Sequence, residues 1–156
     1  VGYVKPPHMN NKTHHLYLSS LDLFWSEFTY NRRLLFYDSA SSAGGQHHQV
    51  QDCIVRKLKL SLSVTLSHFY PFAGRLFFDD DGRLSIDCSD SNVQGVEFVV
   101  ASVGSPLSHA FPNNDFPPCP NFNNLVKESP VIDRHHSNIN DLALLSIQVH
   151  FIRHCL

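Results

Sequence analysis

The stretch DCIVRKLKLSLSVTLSHFYPFAGRLFFDDDGR, residues 52–83, decides the fold of this chain. Apolar residues recur in its first half at steps of three and four, which predicts an amphipathic helix with one buried face. Asp52 is a candidate N-cap, because its carboxylate can accept hydrogen bonds from the N–H groups of the first turn. Pro71 has no N–H and predicts the helix end, and Gly74 predicts a backbone reversal after it. The predicted buried face consists of Ile54, Leu58, Leu62, Leu66 and Phe69.

Strand and turn signals follow this helix. Phe77 and Phe78 predict a strand, and Asp79-Asp80-Asp81-Gly82 has the composition of a turn. A second strand is predicted from Arg83 to Cys88. The stretch therefore predicts helix, break, strand, turn and strand, and by itself it indicates no chemistry.

Shorter patterns predict the elements on either side. Residues 1–15 are polar, contain Pro6-Pro7, and are predicted to be extended. We expect Trp25 and Phe28 to face the core. Alternating or β-branched runs predict strands at Leu16–Leu23, Leu34–Tyr37, Gly95–Val103 and Leu142–Phe151.

Two stretches have loop composition. Ser39–Gln49 reads SASSAGGQHHQ and is predicted to be a mobile loop. Residues 104–140 are rich in proline and asparagine, which predicts long irregular structure. A helix that alternates with strands indicates the α/β class.

Composition and charge exclude two kinds of partner. The chain has 156 residues, one domain by length, and a formal net charge of −2. Nucleic-acid binding needs a basic face, so we expect no nucleic-acid partner. The basic residues Arg56, Lys57, Lys59 and Arg75 are scattered, which indicates a solvated face. We also expect no membrane partner, since no apolar run approaches the roughly 20 residues that span a bilayer.

The cysteines indicate the redox compartment. Cys53, Cys88, Cys119 and Cys155 are widely spaced and contain no Cys-x-x-Cys pair. A basic-then-apolar signal sequence is not recognisable at the start of the sequence. These features predict free thiols in a reducing compartment, the cytoplasm, rather than a disulfide framework.

Four segments carry a resemblance to a known family. Ser61–Leu76, SLSVTLSHFYPFAGRL, resembles the SLSxTLxHFYPLAGRL signature of plant BAHD acyltransferases, which are acyl-CoA-dependent enzymes of the anthocyanin and phenylpropanoid type. Leu16–Trp25 is similar to the family's LPLSxFDLxW segment, and Leu34–Tyr37 to its RLLFY strand. Asp141–Val149, DLALLSIQV, resembles the LALQVTLF strand that leads toward the active site. The matches span about residues 10 to 149 in the family's order, and together they are more specific than any one.

The resemblance implies a fold and a reaction. The fold is a partial N-terminal domain, residues 1–149, of a two-domain CoA-dependent acyltransferase, with a mixed sheet and a flanking helix; residues 150–156 are a non-family tail. Members of this family are expected to be monomers. The co-substrate is acyl-CoA, and the acceptor is a hydroxyl or amine of a plant secondary metabolite, such as an anthocyanin or another phenolic glycoside.

Catalysis in the family rests on a His-x-x-x-Asp motif a little beyond the LALQV strand. Its histidine is the general base, and a neutral imidazole with a pKa near 6.5 suits this role at neutral pH. Here the sequence after Val149 reads His150-Phe151-Ile152-Arg153-His154-Cys155-Leu156, without that motif. The family's Asp-Phe-Gly-Trp-Gly motif is also missing from the sequence. We therefore assign no catalytic, cofactor-binding or metal-binding residue in 1–156, and no cofactor bound by this chain.

Other histidines resemble the motif only in residue type and spacing, and not in their position along the chain. His47-His48-Gln49-Val50-Gln51-Asp52 fits His-His-x-x-x-Asp, but it precedes the signature helix instead of following the LALLSIQV strand. His136 to Asn140 has asparagine where the aspartate belongs. The histidine pairs at 14–15, 47–48 and 135–136 do not predict zinc, because adjacent side chains on an extended chain point apart and zinc needs about four convergent ligands.

Three functions follow from these observations. The first is acyl transfer by a member of this family, with the catalytic residues outside 1–156. The second is an inactive fragment whose uncovered strand edges and apolar faces favour aggregation. The third is a non-enzymatic binding role, such as pairing with a full-length homologue.

Overall fold

The structure is a computed structural model that describes residues 1–7, 15–25, 31–37, 47–89, 94–103 and 142–152. The helices are α1 (Ser20–Trp25) and α2 (His47–His68), and a 3-10 helix spans Tyr70–Ala73. The strands are β1 (Gly2–Val4), β2 (His15–Tyr17), β3 (Arg75–Phe78), β4 (Leu84–Asp87), β5 (Val96–Val103), β6 (Leu142–Ala143) and β7 (Ser146–Ile152). Phe28, residues 39–46 and the predicted irregular stretch 104–140 lie outside the described residues.

The strands form two sheets. One sheet has the order β1-β5-β7, in which β1 is antiparallel to β5 and β7 is parallel to it. The other has the order β2-β4-β3-β6, and all of its pairs are antiparallel. The predicted α/β class with a mixed sheet is confirmed.

The core lies between α2 and the mixed sheet. Its buried members come from β1, α2, the 3-10 helix and β5: Val4, Leu66, Ala73, Val96 and Phe98. Partly buried side chains from α2, β7 and the residue before β7 pack against them: Val55, Leu62, Leu145, Ile147 and Val149. The helix is thus the flanking layer that covers one face of the sheet.

The buried face of α2 differs from the predicted one. Leu62 and Leu66 pack in the core as expected, but Leu58 is 42% exposed and Phe69 is 57% exposed. Lys59 lies on the core side instead, where its Nζ is 5.4 Å from the centroid of the Phe98 ring. A lysine can lay its aliphatic stem on apolar surface and keep its ammonium over an aromatic face. The hydrophobic pattern alone therefore predicted the wrong set of residues for the buried face of α2.

The start of α2 also differs. The helix begins at His47, so Asp52 is an exposed residue inside it and the prediction that Asp52 is the N-cap is wrong. The predicted loop is likewise wrong for residues 47–49. Those residues contain no glycine or proline, so nothing in the backbone prevents the helix from extending toward the N-terminus.

The end of the helix is confirmed, whereas the role of Gly74 is different. The helix ends at His68, and Pro71 lies in the first turn of the 3-10 helix. Gly74 has φ −78° and ψ −174°, which is ordinary extended backbone. A Cβ at this position would lie 2.6 Å from the carbonyl oxygen of Asp87 and 2.9 Å from Cγ2 of Ile86. Glycine is required here because the chain passes close to β4.

The predicted strand–turn–strand after Gly74 is confirmed as β3 and β4. The N–H of Asp79 donates to the carbonyl oxygen of Arg83 (2.9 Å), and the N–H of Arg83 donates to Oδ1 of Asp79 (2.7 Å). Gly82 has φ +73°, a left-handed conformation that glycine adopts readily. The strand predicted at Gly95–Val103 is confirmed as β5.

Three other strand predictions need correction. A strand was predicted over Leu16–Leu23, but the observed strand β2 ends at Tyr17. Residues from Ser20 onward belong to α1 instead. Oδ2 of Asp22 accepts hydrogen bonds from the N–H (2.9 Å) and the hydroxyl (2.7 Å) of Ser19, which cap this helix and lower the pKa of Asp22.

The other two corrections concern short apolar runs. Leu34–Tyr37 is not a strand, and its side chains are largely exposed, with Tyr37 at 85%. A short apolar run does not become a strand unless neighbouring backbone pairs with it. The strand predicted at Leu142–Phe151 is divided into β6 and β7, which belong to different sheets.

We predict that Gly74→Ala destabilises the protein by about 1–3 kcal/mol, because the new methyl group would overlap β4 backbone. Urea unfolding followed by circular dichroism measures the effect. The matched control is Gly2→Ala, whose Cβ would lie 3.7 Å from the flexible Lys59 Nζ and which should change the free energy of unfolding by no more than about 0.5 kcal/mol. Equal effects of the two substitutions would contradict the close-approach explanation.

Candidate functional site

The parallel pair β5–β7 defines the edge where the family's active site would begin. Its register runs from Glu97 opposite Ser146 to Val103 opposite Ile152. Because parallel strands run in one direction, the carboxyl ends of β5 and β7 lie at the same edge of the sheet. Ligands of sheets with parallel strands commonly bind at this edge. The resemblance implies that a catalytic histidine follows the strand that corresponds to β7.

The signature segment holds β7 in place through the core. Ile147 and Val149 of β7 pack on the same cluster as Leu62 and Leu66 of α2. At the start of the strand, the hydroxyl of Ser146 donates to Oε2 of Glu97 on β5 (3.1 Å). The SLSVTL part of the signature therefore supports the strand through packing.

α2 is also fixed to the segment after β1. The hydroxyl of Ser63 donates to the carbonyl oxygen of Lys5 (2.7 Å). A Cβ on Gly95, which has φ +92°, would lie 2.5 Å from the carbonyl oxygen of Val4. These contacts hold the helix, the end of β1 and the start of β5 close together.

Arg75 is buried, so the prediction that it lies on a solvated face is wrong. It is only 8% exposed, and its Nη2 donates to Oε1 of Gln94 (2.9 Å). Arg75 lies opposite Asp87, also 8% exposed, in the β3–β4 register. A charge can be buried where hydrogen bonds and opposite charges compensate for the hydration free energy that it loses. The arginine thus links the second sheet to the residue before Gly95 and β5.

The sequence interpretation missed the burial of Arg75 and its hydrogen bond to Gln94. Asp87 and Gln94 were not singled out, because neither belongs to a recognisable chemical motif. The sequence did contain a signal that Arg75 is buried. Arg75 stands between Gly74, which needs close packing, and the apolar run Leu76-Phe77-Phe78. A charge inside such a run is more consistent with a buried, compensated group than with a solvated one.

Among the described histidines, His150 lies within β7 near its carboxyl end, opposite Ala101 of β5, whereas the others lie on other elements. His48 and Asp52 are both exposed and lie about one turn apart on α2. His68 is exposed at the end of the same helix, and the ring of His15 lies 5.5 Å from the ring of Phe77. His14, His135, His136 and Asn140 lie outside the described residues. That none of these histidines is catalytic stays a prediction.

Within the described ranges, no three histidine, cysteine, aspartate or glutamate residues come together as a possible metal site. Neither of the two described α-helices has the length and apolarity needed to cross a lipid bilayer.

The two described cysteines are free thiols in different environments. Cys53 is exposed on α2, and Cys88 is buried just after β4. Burial, together with the neighbouring Asp87 carboxylate, raises the pKa of the Cys88 thiol from 9.0 to about 11. Cys88 is therefore a packing group rather than a nucleophile. Cys119 and Cys155 lie outside the described residues.

Comparison with known proteins identifies the family. A profile of the Transferase family matches residues 3–153. The malonyl-CoA:anthocyanidin 5-O-glucoside-6''-O-malonyltransferase of Arabidopsis thaliana is 35% identical over 153 residues, covering 97% of this chain and 30% of that protein. Hydroxycinnamoyltransferase 1 of Oryza sativa subsp. japonica is 33% identical over 138 residues, covering 88% and 28%. The BAHD acyltransferase DCR of Arabidopsis thaliana is 37% identical over 103 residues, covering 64% and 21%.

This chain therefore belongs to the Transferase family, the plant BAHD acyltransferases. It spans between 21% and 30% of the length of these three relatives. The predicted division into a family portion at 1–149 and a tail at 150–156 stays a prediction. β7 continues through this division to Ile152, and the family match extends to residue 153.

We predict that Cys53 reacts with a thiol reagent at pH 8 much faster than Cys88, because Cys53 is exposed and Cys88 is buried with a raised pKa. Mass spectrometry of peptides after timed alkylation measures both rates. Prior denaturation in urea is the control and should bring the two rates together. Equal rates in the native protein would contradict the burial of Cys88.

We also predict an alkaline loss of stability. The folded protein holds the Cys88 proton up to about pH 11, whereas the unfolded chain releases it near pH 9.0. The contribution of this proton to the free energy of unfolding is therefore intact below pH 9.0 and is lost between pH 9.0 and about 11. Other groups titrate in this range, so the measurement is the difference in urea midpoint between wild type and Cys88→Ala as pH rises. A difference that does not change with pH would refute the prediction.

Proposed function

We propose that the protein to which these residues belong transfers an acyl group from acyl-CoA to a hydroxyl, or an amine, of a plant secondary metabolite. The observation that carries this proposal is the family match over residues 3–153, within which β7 overlaps the segment that resembles the family's LALQV strand and pairs in parallel with β5. The names of the relatives support malonyl and hydroxycinnamoyl groups as the donor class. An anthocyanin or flavonoid glycoside is the proposed acceptor.

The proposed reaction follows thioester chemistry. The acceptor oxygen or nitrogen attacks the thioester carbonyl carbon, the carbon–sulfur bond breaks, and the CoA thiolate leaves. A general base removes the acceptor proton, which then passes to the leaving sulfur. A neutral histidine suits this exchange, and such a base contributes typically 10²–10⁴-fold to the rate. The family's base follows the strand equivalent to β7, at the carboxyl edge shared with β5.

Within this scheme we propose that residues 1–156 supply support and no catalytic group. The contacts described above fit that role: α2 supports β7, Ser146 is bonded to Glu97 at the start of the parallel pair, and Arg75 connects the two sheets through Gln94. The 1–156 polypeptide alone would then be inactive, both for lack of a base and for lack of substrate-positioning groups.

A second candidate function for the 1–156 polypeptide is non-enzymatic binding, for example to a full-length homologue. One observation favours it: the side of α2 away from the core carries exposed apolar residues, with Leu60 at 67% and Val64 at 52% exposure. Exposed apolar residues grouped on one face are typical of contact surfaces.

We further propose a cytoplasmic location and no nucleic-acid or membrane partner. The free thiols of Cys53 and Cys88 support a reducing compartment, and the net charge of −2 is unfavourable for binding phosphate backbones. For the whole protein we propose a monomer, as the resemblance implies.

We predict that the purified 1–156 polypeptide releases no CoA thiol from malonyl-CoA or hydroxycinnamoyl-CoA in the presence of a flavonoid glycoside. A thiol-release assay measures this against a heat-denatured sample. His48→Ala should leave the result unchanged, and His68→Ala is the matched control at the other end of the helix. Turnover that His48→Ala abolishes and His68→Ala preserves would show that His48 is the base and overturn our assignment.

The family-level proposal has its own test, an immunoblot of native tissue with an antibody raised against residues 51–83. A band several-fold larger than 17.7 kDa supports a working acyltransferase. The base would then be sought beyond Val149. A band only near 17.7 kDa would exclude the enzymatic function for this product and favour the binding role.

A further inference from the structure

Asp81-Gly82, in the turn between β3 and β4, is the only Asp-Gly or Asn-Gly pair in the sequence. In such a pair the backbone nitrogen of the glycine can attack the side-chain carbonyl carbon of the preceding residue, because glycine has no side chain to obstruct the approach. The side chain of Asp81 is 74% exposed. A Cβ added to Gly82 would meet no atom within 4 Å, so the space around this peptide bond is open.

We propose that Asp81 is a site of spontaneous isomerisation, at which the main chain is rerouted through the side-chain carboxyl group to give isoaspartate. The nitrogen of Gly82 forms a bond to Cγ of Asp81, and the amide proton and a carboxyl hydroxyl leave together as one water molecule. The product is a succinimide ring. One water molecule then opens this ring: cleavage at Cγ restores aspartate, whereas cleavage at the α-carbonyl carbon gives isoaspartate. The mass is therefore unchanged, and water is the only reagent.

Contacts within the turn slow this reaction in the folded protein. The N–H of Gly82 donates to the carbonyl oxygen of Asp79 (2.9 Å), which keeps the attacking nitrogen occupied. The N–H of Arg83 donates to Oδ1 of Asp79 (2.7 Å), which holds the end of the turn in place. The ion pair between Nη2 of Arg83 and Oδ2 of Asp81, at 4.0 Å, is exposed and adds little. Surface turns open locally at a smaller cost in free energy than global unfolding, so the opening of a turn that Asp79 closes sets the rate.

Isoaspartate at position 81 would weaken the hairpin that this turn connects. It adds one carbon atom to the main chain and moves the original α-carboxyl group into a side chain. The N–H groups of Gly82 and Arg83 are then displaced from Asp79, although β3 and β4 pair directly on either side of the short turn. We expect the modified protein to unfold at a lower urea concentration than the unmodified protein. This modification lies outside the proposed acyl transfer and does not depend on it.

The test is timed incubation of the purified 1–156 polypeptide at neutral pH and physiological temperature, followed by trypsin digestion and mass spectrometry. Trypsin cleaves after arginine, so Asp81 is recovered in the peptide 76–83. We expect this peptide to separate with time into two chromatographic peaks of equal mass, and electron-transfer fragmentation should place the added main-chain carbon at residue 81. Asp81→Glu keeps the charge but requires a larger and less favourable ring, so it should abolish the second peak.

Two matched variants test the control of the reaction by the turn. Asp79→Ala removes the carboxylate that accepts from Arg83 and should increase the rate several-fold. Asp80→Ala changes the neighbouring exposed position and should leave the rate unchanged. A synthetic peptide of residues 76–83, which lacks the folded hairpin, is the positive control. Equal rates in the two variants, or no second peak from the folded protein under conditions that isomerise the peptide, would overturn the proposal.

Discussion

The packing of α2 against the mixed sheet is the contact on which the rest of the structure depends. Phe98, 2% exposed, and Val96, fully buried, present one face of β5 to the helix, and Leu66 of α2 belongs to the same buried cluster. Burial of a large apolar side chain is worth about 1.5–3 kcal/mol, so these residues dominate the stabilisation of this layer. β7 lies on the same cluster, which means that the position of the strand before the proposed catalytic edge is set by the helix.

A second requirement is the close approach of backbone segments within each sheet, at Gly74 beside β4 and at Gly95 beside β1. At both positions a side chain would meet backbone oxygen, of Asp87 at Gly74 and of Val4 at Gly95. Arg75 and Gln94, the neighbours of these glycines, are joined by a hydrogen bond. The PFAGRL part of the signature is therefore explained by packing. It brings β3 against β4 and fixes the approach to β5.

Local signals in the sequence were sufficient for the elements whose contacts are local. The β3–β4 hairpin follows from Asp79–Gly82, and β5 follows from a β-branched run. The sequence interpretation was wrong for the features whose structure depends on tertiary contacts. Lys59 was not expected on the core side of α2, since the favourable partner of its charge is an aromatic ring on a strand almost forty residues later. Leu34–Tyr37 has the composition of a strand, but its backbone is irregular and its side chains are largely exposed. The candidate site was predicted only as a location, through resemblance, because the residues of the family motif are not in the sequence.

The parallel pairing of β5 with β7 has a consequence for how the protein folds. Glu97 and Ser146, paired in this ladder, are 49 residues apart in the chain, whereas β3 and β4 are joined by a tight turn. Closing a long loop costs conformational entropy before its contacts compensate for it, and non-local pairing slows folding. We therefore expect α2 and the β3–β4 hairpin to form early, and the β5–β7 ladder to form last. During synthesis, the strand that leads to the proposed catalytic edge joins a sheet whose other strands have already emerged.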